Sequence, residues 1–410
     1  MAYTLISAVG TGMYKEGYRK TKYVFPDNRE VETHIFLNAL LEVNYRDVST
    51  VILVGTVTSA WDMLVDDKQD EDFWLTVNSA RETGKIDQSL IHGLEVYLER
   101  KIGKTVVIKV HTDTICEATS LDIFNVYSSI IPQIQTEKIL FDITHGFRSM
   151  PILLYQALQF SVSQNSNIKA VELVYGEYVE GKKCSYVRDL SSYWRYSQIS
   201  DALTIFKDKL DGQKLANLVE EDWLEGAKAI RRLSEVVQAN FALQIIEILR
   251  NITNVLDKKP EGLPSYWQGI LNFLEELLLK LDKNNKSQSK ILFNYSKLLA
   301  RKKLDTQSII ALQVAVETAI AEFQGSDKYI GDYEWWQETG RGKLNSLKEK
   351  DKKMKNSLNN LEHLRNQIAH GGSKGKLKGF PQAANIPNIF QSGVNGVEIL
   401  FSMLEQEKNI

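Results

Sequence analysis

The feature that most constrains the fold of this chain is a series of short apolar segments in about its first 190 residues, each followed within three residues by glycine or threonine. Strands inside a parallel sheet are apolar on both faces, and this pattern is typical of them. Because helical runs separate the segments, the sequence predicts an α/β, Rossmann-like domain with a mostly parallel sheet. The predicted strands are Tyr3–Val9, Val51–Val54, Thr105–Val110, Lys138–Phe141 and Ala170–Val174, with Ser185–Val187 as a late edge strand.

Beyond about residue 190 the apolar residues recur with the period of a helix, as in the long run Leu224–Leu256. No strand-like run stands out in this part of the sequence, which therefore predicts an all-α second domain. We expect the first domain to cover residues 1–190, a helical linker to cover 191–211, and the helical domain to cover 212–410. Within the first domain, Val31–Asn44 is predicted to be a helix.

The composition excludes several classes of protein. Of the 410 residues 43% are hydrophobic, which is sufficient for buried cores and argues against disorder. The two cysteines, Cys116 and Cys184, have no CxxC spacing, which fits a reducing compartment and argues against a disulfide framework or a zinc site. The N-terminus lacks the pattern of a signal peptide, and no apolar run is long enough to cross a bilayer. We expect a cytoplasmic protein with no membrane partner.

The ends of the predicted strands are candidates for a ligand site. In parallel α/β sheets, ligands bind beyond the carboxyl ends of the strands, where the strand order reverses. Here the first strand ends at Gly10-Thr11-Gly12 and the second at Gly55-Thr56. Small residues let a backbone approach a phosphate, so the sequence predicts an anionic ligand at this edge. A full dinucleotide fingerprint is absent, and a lone GxG is weak evidence for one.

A second candidate site is the run Arg365-Asn366-Gln367-Ile368-Ala369-His370 near the C-terminus. An imidazole with a pKa near ~6.5 can accept or supply a proton, and a guanidinium can neutralise charge on a phosphate. From Arg341 to Lys378, eleven basic residues face three acidic ones, a net charge of +8 that fits either phosphate binding or a solvated helix face. The structural alternative is a helix C-terminus, with His370 complementing the helix dipole before the glycines that follow.

The run Asp142-Ile143-Thr144-His145-Gly146-Phe147-Arg148-Ser149-Met150-Pro151 resembles the DxTHG family of CRISPR-associated proteins, and the glycine and threonine loops fit that family too. The resemblance implies a CARF domain, which senses cyclic oligoadenylates, followed by a helical HEPN ribonuclease domain. Arg365, Asn366 and His370 match the HEPN catalytic motif. The residues expected to bind the cyclic ligand are Gly10, Thr11, Gly12, Thr56, Ser59, Trp61, Thr144, His145, Gly146 and Arg148.

The chemistry expected of such a site needs no metal and no cofactor. The motif is not accompanied by an acidic or histidine cluster with metal spacing, so the attack is expected from the 2′-hydroxyl of single-stranded RNA. The products would carry 2′,3′-cyclic phosphate and 5′-hydroxyl ends. One chain supplies one motif histidine, so a homodimer or a higher even oligomer would supply the two that acid–base catalysis uses. On the resemblance, the activator is expected to be cyclic tetra-adenylate, in type III CRISPR antiviral defence.

Two other functions are compatible with the sequence: a ring nuclease that degrades the cyclic messenger, and a non-catalytic, ligand-responsive regulator that binds nucleic acid. We expect His145 to bind the ligand rather than to catalyse. His363 lies seven residues before His370, about 20° away on one helix face, and is expected to be a polar surface residue. Three aromatic residues could stack on RNA bases but are expected to pack in the core: Tyr333, Trp335 and Trp336.

Overall fold

The computed structural model describes residues 2–12, 20–66, 68–113, 117–146, 149–164, 167–282, 287–325, 327–369 and 385–408. The chain divides into two compact units, Met1–Arg195 and Tyr196–Ile410. The first unit is α/β with a mostly parallel sheet and the second is helical, which confirms the predicted fold class. The division falls within the expected linker, and most of that linker forms a single helix.

Eight strands form a single sheet in the described part of the N-terminal unit, in the order β3-β2-β8-β7-β6-β1-β4-β5. The central strands β7, β6, β1, β4 and β5 are parallel, whereas β8 is antiparallel to β7 and β3 is antiparallel to β2. The strands are β1 (Tyr3–Val9), β2 (Thr21–Val24), β3 (Glu30–Thr33), β4 (Val48–Thr56), β5 (Thr105–His111), β6 (Lys138–Asp142), β7 (Ala170–Val179) and β8 (Cys184–Asp189).

Helices cover the sheet because its central strands are apolar on both faces. Successive side chains of a strand point to opposite sides. Leu5 and Val51 therefore pack in a cluster with α1, α2 and α3, whereas Ile6 and Ile52 pack in a second cluster with α4 and α5. These helices are α1 (Phe36–Glu42), α2 (Glu71–Thr83), α3 (Gln88–Ile102), α4 (Glu117–Ser128) and α5 (Ser149–Gln164).

The structure corrects two predictions at one end of the sheet. The predicted helix Val31–Asn44 begins only at Phe36, because Glu30–Thr33 pairs with β2 in a hairpin. The edge position predicted for Ser185–Val187 is wrong, since β8 lies between β7 and β2. The hairpin adds two strands outside β8, and strands of four half-exposed residues leave little hydrophobic signal in the sequence.

The C-terminal unit is a bundle of helices, in which the predicted run Leu224–Leu256 is broken where Asn240 adopts a left-handed φ of 59°. No helix among the described ranges is both long and apolar enough to cross a bilayer. The helices are α6 (Ser191–Lys209, which begins in the first unit), α7 (Gln213–Val219), α8 (Leu224–Gln238), α9 (Ile245–Asp257), α10 (Tyr266–Asp282), α11 (Gln288–Arg301), α12 (Asp305–Phe323), α13 (Tyr333–Trp335), α14 (Arg341–Lys348), α15 (Lys352–Ala369) and α16 (Ile386–Lys408), and a π-helical segment, Trp336–Gly340, joins α13 to α14.

Two glycines let α16 pack closely against α12 and α15. A Cβ atom at Gly396 would lie 2.9 Å from the Cβ of Ser357, and one at Gly393 would lie 3.0 Å from a methyl of Leu312. Contacts this short are essentially absent or rare for real Cβ atoms. A side chain at either glycine would therefore push α16 away from α12 or α15. The glycines of α16 therefore hold α12 and α15 in place, and these two helices carry the polar residues of the site described below.

We predict opposite effects for two helical glycines. Gly396→Ala should lower the free energy of unfolding by about 1–3 kcal/mol, because overpacking of a closed interface has this cost. Gly342→Ala, where a Cβ would meet nothing within 4 Å, should stabilise the chain by up to about 1 kcal/mol through helix propensity. Urea or thermal unfolding of the full chain measures both. Equal effects of the two substitutions would contradict the packing argument.

A buried histidine at the end of β5 had no predicted role. His111 is 5% exposed, and its Nδ1 lies 2.7 Å from the carbonyl oxygen of Thr112. A carbonyl can only accept, so Nδ1 carries the proton, and Nε2 accepts from the Tyr127 hydroxyl at 2.8 Å. Burial lowers the pKa of His111, partly opposed by the Thr112 carbonyl and by Asp113. The neutral ring thus joins β5 to α4.

We predict that His111 makes the stability of the chain sensitive to acid. Its pKa in the folded protein is below the unfolded value of about 6.5, so its contribution is complete above that pH and is lost as the pH falls below it. Between about pH 7.5 and about pH 5.5, the wild-type chain should lose more free energy of unfolding than His111→Gln does. Urea unfolding at both pH values tests this, and an identical pH dependence in the two proteins would refute it.

Candidate functional site

The order of the strands creates a crevice at one edge of the sheet. The chain passes from β1 to β4 and β5 on one side and then returns to β6 on the other side of β1. Such a reversal separates the loops at the carboxyl ends of the two central strands. The loops after β1 and β6 contain residues 10–12 and 143–146, and the loop after β4 contains residues 56–61. We refer to these three loops as the switch-point edge.

A buried carboxylate organises the loop after β6. Asp142 accepts a hydrogen bond from the hydroxyl of Ser7 on β1 at 2.6 Å and another from the backbone N–H of Thr144 at 2.8 Å. The hydroxyl oxygen of Thr144 in turn accepts from the N–H of Gly176 on β7 at 2.8 Å. The aspartate and threonine of the DxTHG run therefore join β1, β6 and β7, and they fix the course of the backbone that a ligand would meet.

His145 caps a helix. Its Nε2 accepts a hydrogen bond at 3.1 Å from the N–H of Phe36, the first residue of α1, where the N-cap residue Ile35 provides no side-chain cap. Burial lowers the pKa of His145, partly opposed by Asp142. The ring is therefore neutral near pH 7, and the Nε2 lone pair that a general base would use is engaged by the helix. This geometry favours a positioning or binding role over catalysis for His145.

Gly146 has a backbone conformation that other residues rarely adopt. Its φ is 114°, and a Cβ atom there would lie 3.3 Å from the Cβ of Ala8 and 3.5 Å from the sulfur of Met150. The glycine therefore lets the chain turn closely past β1 at the crevice. Arg148, the other residue of this run expected to bind the ligand, lies outside the described residues.

The polar side chains of the loop after β4 form hydrogen bonds within the loop and to the end of β1. The Ser59 hydroxyl donates to the Val9 carbonyl at 2.5 Å and accepts from the Thr56 N–H at 2.8 Å. The indole N–H of Trp61 donates to the Thr56 carbonyl at 2.8 Å. Thr56, Ser59 and Trp61 are all fully buried, and these hydrogen bonds stay within the loop or reach β1. They hold this loop against the end of β1.

The loop after β1 presents backbone to the crevice and is tied to α2. Thr11 and Gly12 are partly exposed, whereas Gly10 is buried. The Arg81 guanidinium donates to the Thr11 carbonyl at 3.1 Å and lies 2.8 Å from the buried carboxylate of Asp62. This ion pair was not predicted, because only the folded topology brings α2 beside the loop. Among the described residues, the switch-point edge thus combines partly exposed backbone with the nearby guanidinium of Arg81.

The C-terminal unit contains a cleft of about 430 Å³ that is lined by the motif residues Arg365 and Asn366. Both lie near the end of α15, and α12 forms the opposing wall with Gln313 and Glu317. The segment from α13 to α14 closes a third side. The cleft therefore joins the predicted catalytic motif to residues of two other parts of the helical unit.

The arginine of the motif is held by an acidic partner. A guanidinium nitrogen of Arg365 lies 3.7 Å from Oε1 of Glu317, and the amide of Gln313 donates to the same oxygen at 3.0 Å. Burial raises the pKa of Glu317, and Gln313 and Arg365 oppose this shift. The separation of 3.7 Å is longer than a direct charge-assisted hydrogen bond, and the Arg365 side chain is 35% exposed. Arg365 is therefore oriented toward the cleft and able to bind an anion.

A second group of charges lies beside this pair. Glu362 on α15 lies 3.1 Å from a guanidinium nitrogen of Arg341 and 3.5 Å from the ammonium of buried Lys348. Burial lowers the pKa of Lys348, and Glu362 opposes the shift. Both Arg341 and Glu362 line the cleft. The net effect is a cleft whose rim carries two arginines and whose carboxylates are paired with cations.

The two histidines near the motif differ in whether the structure describes them. His370 follows α15 directly in sequence and lies outside the described residues, whereas His363 is exposed on the same helix. Among the residues that the structure describes, no group of three or more histidine, cysteine, aspartate or glutamate side chains is arranged to hold a metal ion. The sequence motif thus identified two cleft residues, and Glu317 and Gln313 were found only from the fold.

Residues 4–180 match the family model described as "CRISPR system endoribonuclease Csx1, CARF domain". Over 288 residues the chain is 24% identical to "CRISPR-associated protein MJ1674" from Methanocaldococcus jannaschii. That alignment covers 64% of this chain and 45% of the relative, so the chain spans about half the length of the curated protein it matches.

The matched range covers β1 through β7 and includes every loop of the switch-point edge. The sheet order and the DxTHG loop agree with this assignment. Residues 4–180 are therefore similar to a CARF domain of the Csx1 type, and the chain is similar to a CRISPR-associated protein.

Proposed function

We propose that this protein is a metal-independent endoribonuclease of type III CRISPR antiviral defence that cleaves single-stranded RNA when a cyclic oligoadenylate binds its CARF domain. The observation that carries the proposal is the cleft of about 430 Å³ that presents Arg365 and Asn366 in a chain whose N-terminal unit matches a CARF domain. A chain that pairs a nucleotide sensor with a polar, arginine-bearing cleft fits a ligand-activated nuclease better than a simple binding module.

The proposed reaction is attack by the ribose 2′-hydroxyl on the adjacent phosphate. Arg365 would bind the phosphate and stabilise the charge that develops on it, while Asn366 would hydrogen-bond to the same group or to the ribose. His370 would transfer the proton at the 2′-hydroxyl or at the 5′-oxygen that leaves. A homodimer would contribute a second set of these residues to complete the acid–base pair. The products would carry 2′,3′-cyclic phosphate and 5′-hydroxyl ends.

The activator in this proposal is cyclic tetra-adenylate, bound at the switch-point edge. The partly exposed backbone of Thr11, Gly12 and the loop 144–146 suits close approach by phosphates. Two such edges, one from each protomer, would match a ring of even symmetry. The ring can activate only if it binds the competent arrangement of the dimer more tightly than the resting one. The engaged Nε2 of His145 argues against this residue as a ring-cleaving base.

We predict that Arg365→Ala and His370→Ala each reduce RNA cleavage by at least about 100-fold, as loss of charge stabilisation or of acid–base catalysis does. Binding of cyclic tetra-adenylate should be unchanged in both. His363→Ala, on the same helix but exposed, is the matched control and should cleave normally. The assay uses labelled RNA in EDTA, with and without the ring, and identifies the product ends.

Wild-type cleavage by His370→Ala would show that the catalytic assignment is wrong. Products with 5′-phosphate and 3′-hydroxyl ends would indicate water activated by a metal instead. Loss of the ring with intact RNA would support a ring nuclease, and ring binding with neither reaction would support a non-catalytic regulator.

We predict that Gly146→Val weakens ring binding, because a side chain at φ 114° strains the backbone and would contact Ala8. Activated RNA cleavage should fall accordingly and recover in part at high ring concentration, whereas any cleavage without the ring should be unaffected. Gly181→Val is the matched control, since a Cβ there meets nothing within 4 Å. Calorimetry gives the binding constant. Normal ring binding by an inactive Gly146→Val protein would mean that the loop transmits the signal without holding the ligand.

A further inference from the structure

We propose that the cleft beside Arg365 is a pocket for one unpaired RNA base next to the phosphate that is cleaved. This inference rests on the proposed function and identifies what positions the substrate in that site. The motif residues occupy one side of the cleft, and a set of aromatic and amide side chains that no catalytic motif requires occupies the rest. These additional side chains are of the types that recognise single-stranded bases.

The aromatic side of the pocket comes from one continuous helical segment with a π-helical insertion. Asp332 caps its start by accepting a hydrogen bond from the N–H of Trp335 at 2.9 Å, and the π-helical turns run from Trp336 to Gly340 before α14 continues. Such insertions alter the spacing at which side chains return to one helix face, and they occur frequently at functional sites. Tyr333, Trp336, Gln337 and Arg341 of this segment all line the same cleft.

Tyr333 is the aromatic residue that core packing does not explain. It is 73% exposed and lines the cleft. Trp335 follows the core expectation, because its ring stacks on Tyr329 with centroids 4.8 Å apart and packs against the helical core. Trp336 also packs against that core while lining the cleft. The structure therefore corrects the core assignment for Tyr333 alone, and it places an exposed ring at the entrance to the cleft.

The position of Trp336 depends on a glycine. A Cβ atom at Gly340 would lie 2.5 Å from the Trp336 ring and 2.8 Å from the Trp335 ring. The two indoles thus lie against bare backbone, and Trp335 is anchored in turn by Tyr329. The aromatic wall is therefore built into the fold before RNA binds. A preformed wall reduces the conformational entropy that the protein would lose on binding a base.

The remaining walls offer polar groups suited to the edge of a base. The amides of Gln313 and Gln337 each combine a donor and an acceptor, which is the pattern that base edges present. Arg341 and Arg365 lie at the same cleft and would attract the phosphates on either side of the base. A volume of about 430 Å³ lies within the range of pockets for small ligands. The combination of aromatic wall, amides and arginines fits a nucleotide of single-stranded RNA.

The test is RNA binding by the full chain in the presence of cyclic tetra-adenylate. The probe is a short single-stranded RNA with 2′-O-methyl groups, which cannot be cleaved, measured by fluorescence anisotropy. A series of such RNAs carries one abasic nucleotide at each position in turn. For the wild-type chain, the abasic nucleotide should weaken binding by roughly 5- to 150-fold at one position, as loss of a stacked base does. For Tyr333→Ala, all RNAs should bind with the same weakened affinity.

Two variants separate stacking from structure. Tyr333→Phe retains the ring and should bind as the wild type does. Phe241→Ala removes an aromatic side chain that is 55% exposed but does not line the cleft, and it should leave the abasic profile unchanged. The proposal is overturned if Tyr333→Ala and wild type show the same dependence on the abasic position, or if no position matters in the wild type. If base-dependent binding is present but cleavable RNA remains intact, the pocket stands and the proposed nuclease activity fails.

Discussion

A buried carboxylate at the reversal of the strand order is the interaction on which the N-terminal unit depends. Asp142 is inaccessible to water, and its two oxygens accept hydrogen bonds from Ser7 on β1 and from the backbone of Thr144. Removal of one partner from a buried carboxylate is costly, so Asp142 fixes the path of the loop after β6. That path brings His145 to the N-terminus of α1 and requires the left-handed turn at Gly146.

The helical unit depends on a different constraint. Helices and aromatic rings approach the backbone closely at glycines, which have no side chain to keep them apart. Gly393 and Gly396 allow α16 to lie against α12 and α15, and Gly340 allows two indoles to lie against the segment that closes the cleft. Glu317 and Arg365 are brought to 3.7 Å by this packing. The arginine is thus oriented by Glu317, whose pKa is raised by burial, and its side chain remains 35% exposed.

The sequence predicted those features that leave a local pattern. Doubly buried strands are apolar runs, so β1, β5 and β6 were found within one residue of their observed bounds, and the buried parts of β4 and β7 were found as well. The short strands β2 and β3 were missed because half-exposed strands of four residues have no such pattern. A tryptophan in a loop looks the same in sequence whether it contacts a ligand or the core. Trp61 was therefore expected at the ligand and lies in the core, whereas Tyr333 was expected in the core and is exposed.

The features that could not be predicted from the sequence are contacts between different elements of the fold. The Arg81–Asp62 pair and the Arg365–Glu317 pair join residues far apart along the chain, and neither residue type is unusual at its own position. The Arg365-Asn366 motif was recognised because its chemistry is local. The other walls of its cleft come from α12 and from the π-helical segment, and a single sequence carries no pattern that links these elements.

The most direct test of the central claim is to measure RNA cleavage and ring occupancy in one solution while cyclic tetra-adenylate is titrated into the protein. We expect the initial rate of RNA cleavage to be proportional to the fraction of protein with ring bound, with the same midpoint for both. Cleavage that does not depend on the ring, or full occupancy by the ring with the RNA left intact, would contradict it.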